Sequence, residues 1–99
     1  MALYIVAKAR INNKDEVEGF MWALANGSNN FLEELHEVTV EEVIKAIDRG
    51  DVVEMVFEAD HRRLVSGGEL LKAELPGGGE TVIEERGYPE RKIRDLPRF

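Results

Sequence analysis

The sequence predicts an α+β fold, an antiparallel sheet of four or five strands with one principal helix packed on it. Three observations carry this. Leu3 to Ile11 and Val17 to Ala25 are apolar stretches of strand length separated by a short polar turn. Thr39 to Glu58 reads as a capped helix, a glycine and then a strongly apolar strand. Residues 69–86 read as a second hairpin around a glycine-rich tip. The 99 residues are enough for one domain with one modest core. Its divisions are a core over 1–87 that includes the second hairpin at 69–86, and a basic tail over 88–99.

In the first strand Leu3, Ile5, Ala7, Ala9 and Ile11 fall on one face, and Tyr4, Val6, Lys8 and Arg10 on the other, as period-two alternation requires. Asn12, Asn13, Lys14 and Asp15 tolerate left-handed backbone and form local side-chain turns. Val17 to Ala25 completes an antiparallel hairpin, with Phe20, Trp22 and Leu24 on one face. Helix is the alternative for residues 17–24, because Met, Ala and Leu also favour it. Asn26 to Asn30 breaks the chain. Phe31, Leu32, Leu35 and Val38 then have helical spacing and predict one or two turns leading into Thr39.

Thr39 is placed to cap a helix whose apolar stripe is Val40, Val43, Ile44 and Ile47, with Glu42 at the capping-box position and Val38 as a hydrophobic staple. Arg49 lies near the negative end of the helix dipole, and Gly50 supplies the left-handed stop. Val52 to Phe57 is almost continuously apolar. Beyond the polar segment Ala59 to Arg63, Ser66-Gly67-Gly68 predicts a turn. Leu71, Ala73 and Leu75 share a strand face, Pro76 to Gly79 forms a hairpin tip, and Thr81 to Arg86 returns as a charged edge strand.

Thirteen basic residues against twenty acidic ones give a formal charge of −7, which argues against nucleic-acid binding, an interaction driven by phosphate neutralisation. The same charge disfavours anionic membrane surfaces, and no segment approaches the roughly 18 apolar residues of a membrane span. The first ten residues read as a strand rather than a secretory leader. Without cysteine there is no disulfide framework and no thiolate zinc site, so a cytoplasmic location is expected. Charge is unevenly spread: residues 33–60 carry a local −8, and residues 86–99 a local +3.

The order of hairpin, polar break, Thr-started helix ending in Gly, apolar strand and closing Leu-Pro-x-Phe resembles a family of small bacterial proteins of unknown function. The resemblance rests on Thr39 through Gly50, Asp51 to Phe57, and Asp95-Leu96-Pro97-Arg98-Phe99. It implies a β-β-α-β unit, into which residues 60–87 fit as an inserted hairpin. It implies no mechanism.

The residues offer little for catalysis. Asp60-His61-Arg62-Arg63 combines a carboxylate, an imidazole and two guanidinium groups. His61, Arg62 and Arg63 are therefore the candidates for an anion-binding loop, and a solvated loop is the plainer reading. His36 and His61 are the only histidines. Pro76 to Glu80 lacks the Lys-Ser/Thr of a phosphate loop and precedes a strand, not a helix. No hydroxyl sits in a nucleophile elbow, and no cofactor or metal is expected.

The apolar residues that need cover are Phe20 and Trp22 on the first hairpin, and Ile93, Leu96 and Phe99 near the end of the chain. They are the candidate interaction residues, and core packing is the competing reading for the aromatic pair. The expected function is a non-enzymatic protein-association module, as a homodimer or a component of a complex. The alternative is a module or small enzyme that binds an anionic ligand through the 60–63 loop.

Overall fold

The computed structural model describes residues 1–27, 30–60 and 63–99. Along them run β1 (Leu3–Ile11), β2 (Val17–Ala25), β3 (His36–Thr39), α1 (Val40–Asp48), β4 (Val52–Glu58), β5 (Leu64–Glu74) and β6 (Glu80–Glu84), with a 3-10 turn at Ile93–Asp95. The strands make one sheet in the order β3-β2-β1-β4-β5-β6. The α+β class is as expected. The sheet has six strands rather than four or five, and it is mixed, because β1 and β4 run parallel while the other pairs are antiparallel. The parallel pair follows from the path of the chain. α1 carries it from β3 at the edge back across β2 and β1, and parallel neighbours need such a crossover.

Local chemistry accounts for α1. Thr39 Oγ1 accepts a hydrogen bond from the Glu42 amide at 3.2 Å, and Gly50 adopts φ +91° just after the helix. Val40, Val43, Ile44 and Ala46 are buried, and Ile47 packs beside them. Residues 17–24 are strand, not helix: β2 is paired on both sides, with β1 and with β3.

Three expectations change. The segment expected as helical turns before Thr39 ends in β3, where Val38 pairs with Phe20 and His36 with Trp22. Its apolar spacing suits a helix, but the open edge of β2 offers the backbone a ladder of partners, and that contact prevails. Ser66-Gly67-Gly68 is not a turn. β5 runs straight through it with an irregularity opposite Met55 and Val56, and Gly68 has φ +91°. A Cβ at Gly67 would collide with the Phe57 ring, so this close approach needs glycine.

The third change concerns β1. Its register with β2 slips between Val6 and Lys8, which makes Ala7 a bulge residue. Each bulge shifts the side-chain phase. Ala9 and Ile11 therefore join Val6 and Tyr4 in the core beneath α1, while Leu3 and Ala7 pack with Ile5 on the opposite face.

Beyond the bulge, the ladder between β1 and β4 ends at the pair Val6 and Met55. The C-terminal tail fills the space this leaves. Ala9 N–H donates to Pro97 O at 2.9 Å, and Ala9 and Arg98 form a parallel bridge. Ile93 and Leu96 enter the same core as α1.

Candidate functional site

Four of the five candidate interaction residues lie inside the chain's own core. Phe20 is fully buried, and Trp22, Ile93 and Leu96 are nearly so. Trp22 stacks on Tyr4 with ring centroids 4.1 Å apart and planes 13° from parallel. Phe99 is half-buried, and the Arg10 guanidinium sits over its ring at 4.7 Å. The tail thus docks on its own sheet, and the four buried residues present no surface to a partner. Of the anion-loop candidates, His61 and Arg62 lie outside the described residues. Arg63 is exposed at the end of the β4–β5 connection, where its carbonyl accepts from Ala59 N–H at 2.6 Å.

Most polar groups near one another have structural work. Asn12 Oδ1 accepts from the Lys14 and Glu16 amides at 2.8 and 3.0 Å and shapes the β1–β2 turn. Glu84 accepts from the Ile93 amide at 2.8 Å, which ties the tail to β6. Lys72 reaches Asp48 at 2.9 Å and Glu80 at 3.3 Å, linking the second hairpin to α1, and both partners raise its pKa. His36 stands 3.7 Å from Glu33 on the exposed edge. No group of three His, Asp or Glu side chains is placed to hold a metal among the described residues.

Asp51 joins the N-terminus to the helix end. Its Oδ1 accepts from Ala2 N–H at 3.0 Å, and its Oδ2 from Arg49 at 2.9 and 3.1 Å. The Ala2 amide first, and then the Arg49 guanidinium, hold its carboxyl below the usual aspartate range. Ionised Asp51 therefore favours the folded chain above about pH 4, and that contribution is lost as pH falls through the lowered folded-state value. Asp51→Asn is expected to be less stable at neutral pH, with its deficit shrinking on acidification. Chemical denaturation at stepped pH checks this, and a deficit that stays constant to pH 2 counts against it.

A cleft of about 930 Å³ opens between the β1–β2 turn, the start of α1, β6 and the tail. Glu18, Glu41, Glu80 and Glu84 line it together with Lys92 and Arg94. Glu80 and Glu84 are engaged in the contacts above, and the cleft is a seam where these four parts of the chain meet.

The feature that single-face reasoning misses is the other side of the sheet. α1 and the tail both pack on the side of Val6, Phe20, Trp22 and Met55. Ile5, Ala25 and Val56, with Leu3 and Ala7 around them, form a second apolar cluster made of sheet residues alone. By alternation Met21, Ala23 and Val52 belong to this side. So do Leu71 and Ile83, which pair across β5 and β6 beside the core residues Leu70 and Val82. The sequence places Leu71, Ala73 and Leu75 on one strand face; in β5 it is Leu70 that enters the core, and Leu71 is left 39% exposed. Ile83 is 46% exposed. The signal was present in Leu70-Leu71 and Val82-Ile83, adjacent apolar pairs that mark a strand with apolar residues on both faces.

No family model, curated protein or solved structure matches this chain. No helix among the described residues is long and apolar enough to cross a membrane.

Proposed function

We propose that this chain acts by protein association rather than catalysis, through the sheet face opposite α1. The exposed apolar pair at the end of that face carries the reading. Five strands contribute to that face, and at its β5–β6 end Leu71 and Ile83 stand directly opposite one another with much of their surface in water. An apolar patch of this kind marks a contact surface. The sheet edges are poor alternatives: β3 is only four residues long, and β6 begins and ends with glutamates. Short, charged edges discourage strand addition.

The cysteine-free composition fits a cytoplasmic setting. Kinship with the small bacterial family of the Leu-Pro-x-Phe ending belongs to the same proposal. It is supported by the way Thr39–Gly50, Asp51–Phe57 and Asp95–Phe99 pack around one core.

Hydroxyl-radical footprinting in extract of the producing cells tests the association. Relative to their intrinsic reactivities, Leu71 and Ile83 are expected to be labelled less than Leu75 and Tyr88. The last two are as exposed as Leu71 and Ile83 in the isolated chain and lie beyond the paired residues of β5 and β6. Equal labelling of the two sets would overturn the proposal.

A further inference from the structure

We infer that Asn26-Gly27, the start of the β2–β3 connection, is a site of spontaneous covalent modification. The Asn26 amide is lost through a cyclic imide, and part of the product is an isoaspartyl link open to carboxyl methylation. The inference is independent of the association reading.

The sequence supplies the reacting pair. The main-chain nitrogen that follows an asparagine can reach that side chain's Cγ and close a five-membered ring. The attack needs the next residue to turn freely about its backbone, and glycine, lacking a Cβ, obstructs it least. Of the five asparagines, at positions 12, 13, 26, 29 and 30, Asn26 alone precedes a glycine.

The structure leaves the reacting atoms free. Both residues are exposed. Gly27 has φ +106°, and a Cβ built there would meet nothing within 4 Å, so the ring has room to form. Among the described residues the Asn26 side chain makes no hydrogen bond and the Gly27 N–H donates to no acceptor. The bonds that shape the turn use other atoms: Asn26 N–H donates to Asn30 O at 2.8 Å, and Asn30 N–H to Gly27 O at 3.3 Å.

The other asparagines are hindered. Asn12 is held at both ends of its amide, where Oδ1 accepts from the Lys14 and Glu16 amides and Nδ2 donates to Glu16 and Glu18 at 3.2 and 3.4 Å. Asn13 precedes Lys14, whose N–H is committed to Asn12 Oδ1 at 2.8 Å. Asn30 precedes the bulky Phe31, whose backbone is bridged to Ala25. Asn29 is followed by Asn30, whose Cβ crowds the attack.

Gly27 N–H gives its proton to hydroxide, and the nitrogen attacks Asn26 Cγ. The N–Cγ bond forms, the Cγ–Nδ2 bond breaks, and the amide nitrogen takes up a proton and leaves as ammonia. Water then opens the imide. Cleavage of the N–Cγ bond gives aspartate. Cleavage at the main-chain carbonyl of Asn26 gives isoaspartate, with the chain rerouted through Cβ and Cγ. The carboxylate so freed takes a methyl group from the sulfonium of S-adenosylmethionine, which departs as a thioether. The extra backbone atom falls inside the loop that Asn26 N–H and Asn30 O already close, and so small a lengthening costs little. The product therefore accumulates in the folded chain.

Ageing the purified full chain in mildly alkaline buffer tests this, with circular dichroism as the check on folding. Fragment-ion mass spectrometry after digestion under acidic conditions reads each asparagine. Asn26 is expected to lose its amide about tenfold or more faster than any other asparagine, and Gly27→Ala to slow that loss about tenfold. The aged chain is expected to accept methyl groups from S-adenosylmethionine through a protein-isoaspartyl methyltransferase, and Asn26→Gln to lose most of that acceptance. Another asparagine changing as fast as Asn26 overturns the site. An aspartate product without isoaspartate overturns the cyclic route. Asn26→Gln leaves the backbone as it is, so undiminished methyl acceptance in that variant overturns the site even where Gly27→Ala fails to fold.

Discussion

Replacing Leu96 with alanine is expected to cost about 2–5 kcal/mol of folding stability, a large part of the 5–15 kcal/mol that a domain of this kind commands. Leu96 is only three residues from the last position, where chains usually fray. Here the segment is held at several points. Leu96 is 2% exposed and sits in the core with α1. The next residue supplies the carbonyl that accepts from Ala9 N–H, and Arg98 donates to the carbonyls of Leu96 and Arg94 at 2.6 and 2.9 Å. Asp95 accepts from the Lys92 amide at 3.0 Å and closes the 3-10 turn. Removing residues 95–99 is expected to cost more than Leu96→Ala, because it also strips the Ala9 amide of its partner in the sheet. Leu96→Met, which conserves volume, is expected to cost under about 1.5 kcal/mol. Urea denaturation measures all three. A loss below about 1 kcal/mol for the truncated chain would mean that the tail is not part of the core.

The tail illustrates what the sequence could and could not convey. Its apolar residues had to dock somewhere, and that much was legible from Ile93, Leu96 and Phe99. Where they dock depends on the Ala7 bulge, and the bulge leaves no mark, because the alternation from Leu3 to Ile11 reads as an unbroken strand. Bulges are settled by pairing with a partner strand, here β2, and pairing is not a local property. The helix is the opposite case. Thr39, the stripe from Val40 to Ile47 and Gly50 all act within a few residues of one another, so the cap, the buried face and the stop could be read directly.

β3 failed for the reason the bulge did. Residues 36–39 are strand only because β2 offers an edge, and Gly19 lets that edge approach closely: a Cβ there would lie 2.7 Å from Val38 O. The candidate surface was missed through the choice of face. Phe20 and Trp22 are the largest apolar side chains on the first hairpin, and size alone suggested a surface in need of cover. Size also makes them the natural filling beneath α1. With the large residues used inside, the outer face holds Ala23, Ala25, Ile5 and Val56, themselves buried, and exposes Leu71 and Ile83 at its β5–β6 end, side chains that attract less notice in a sequence.

Phe20→Ala separates these two roles. Phe20 is among the largest fully buried side chains, and its truncation is expected to cost about 3–5 kcal/mol, comparable with the Leu96 change. A residue that acts only at an interface loses its effect once the interface is gone. A core residue does not. The decisive comparison is therefore Phe20→Ala in the parent and in a Leu71→Glu background, which places a charge in the exposed apolar pair, each followed by urea denaturation at fixed protein concentration. Phe20 faces α1 and Leu71 faces away from it, on strands separated by β1 and β4, so the two changes share no contact and their effects are expected to add within about 0.5 kcal/mol. If Phe20→Ala became harmless in the Leu71→Glu chain, Phe20 would belong to the association surface after all. Additive losses instead place the aromatic pair in the fold and leave association to the sheet's other side.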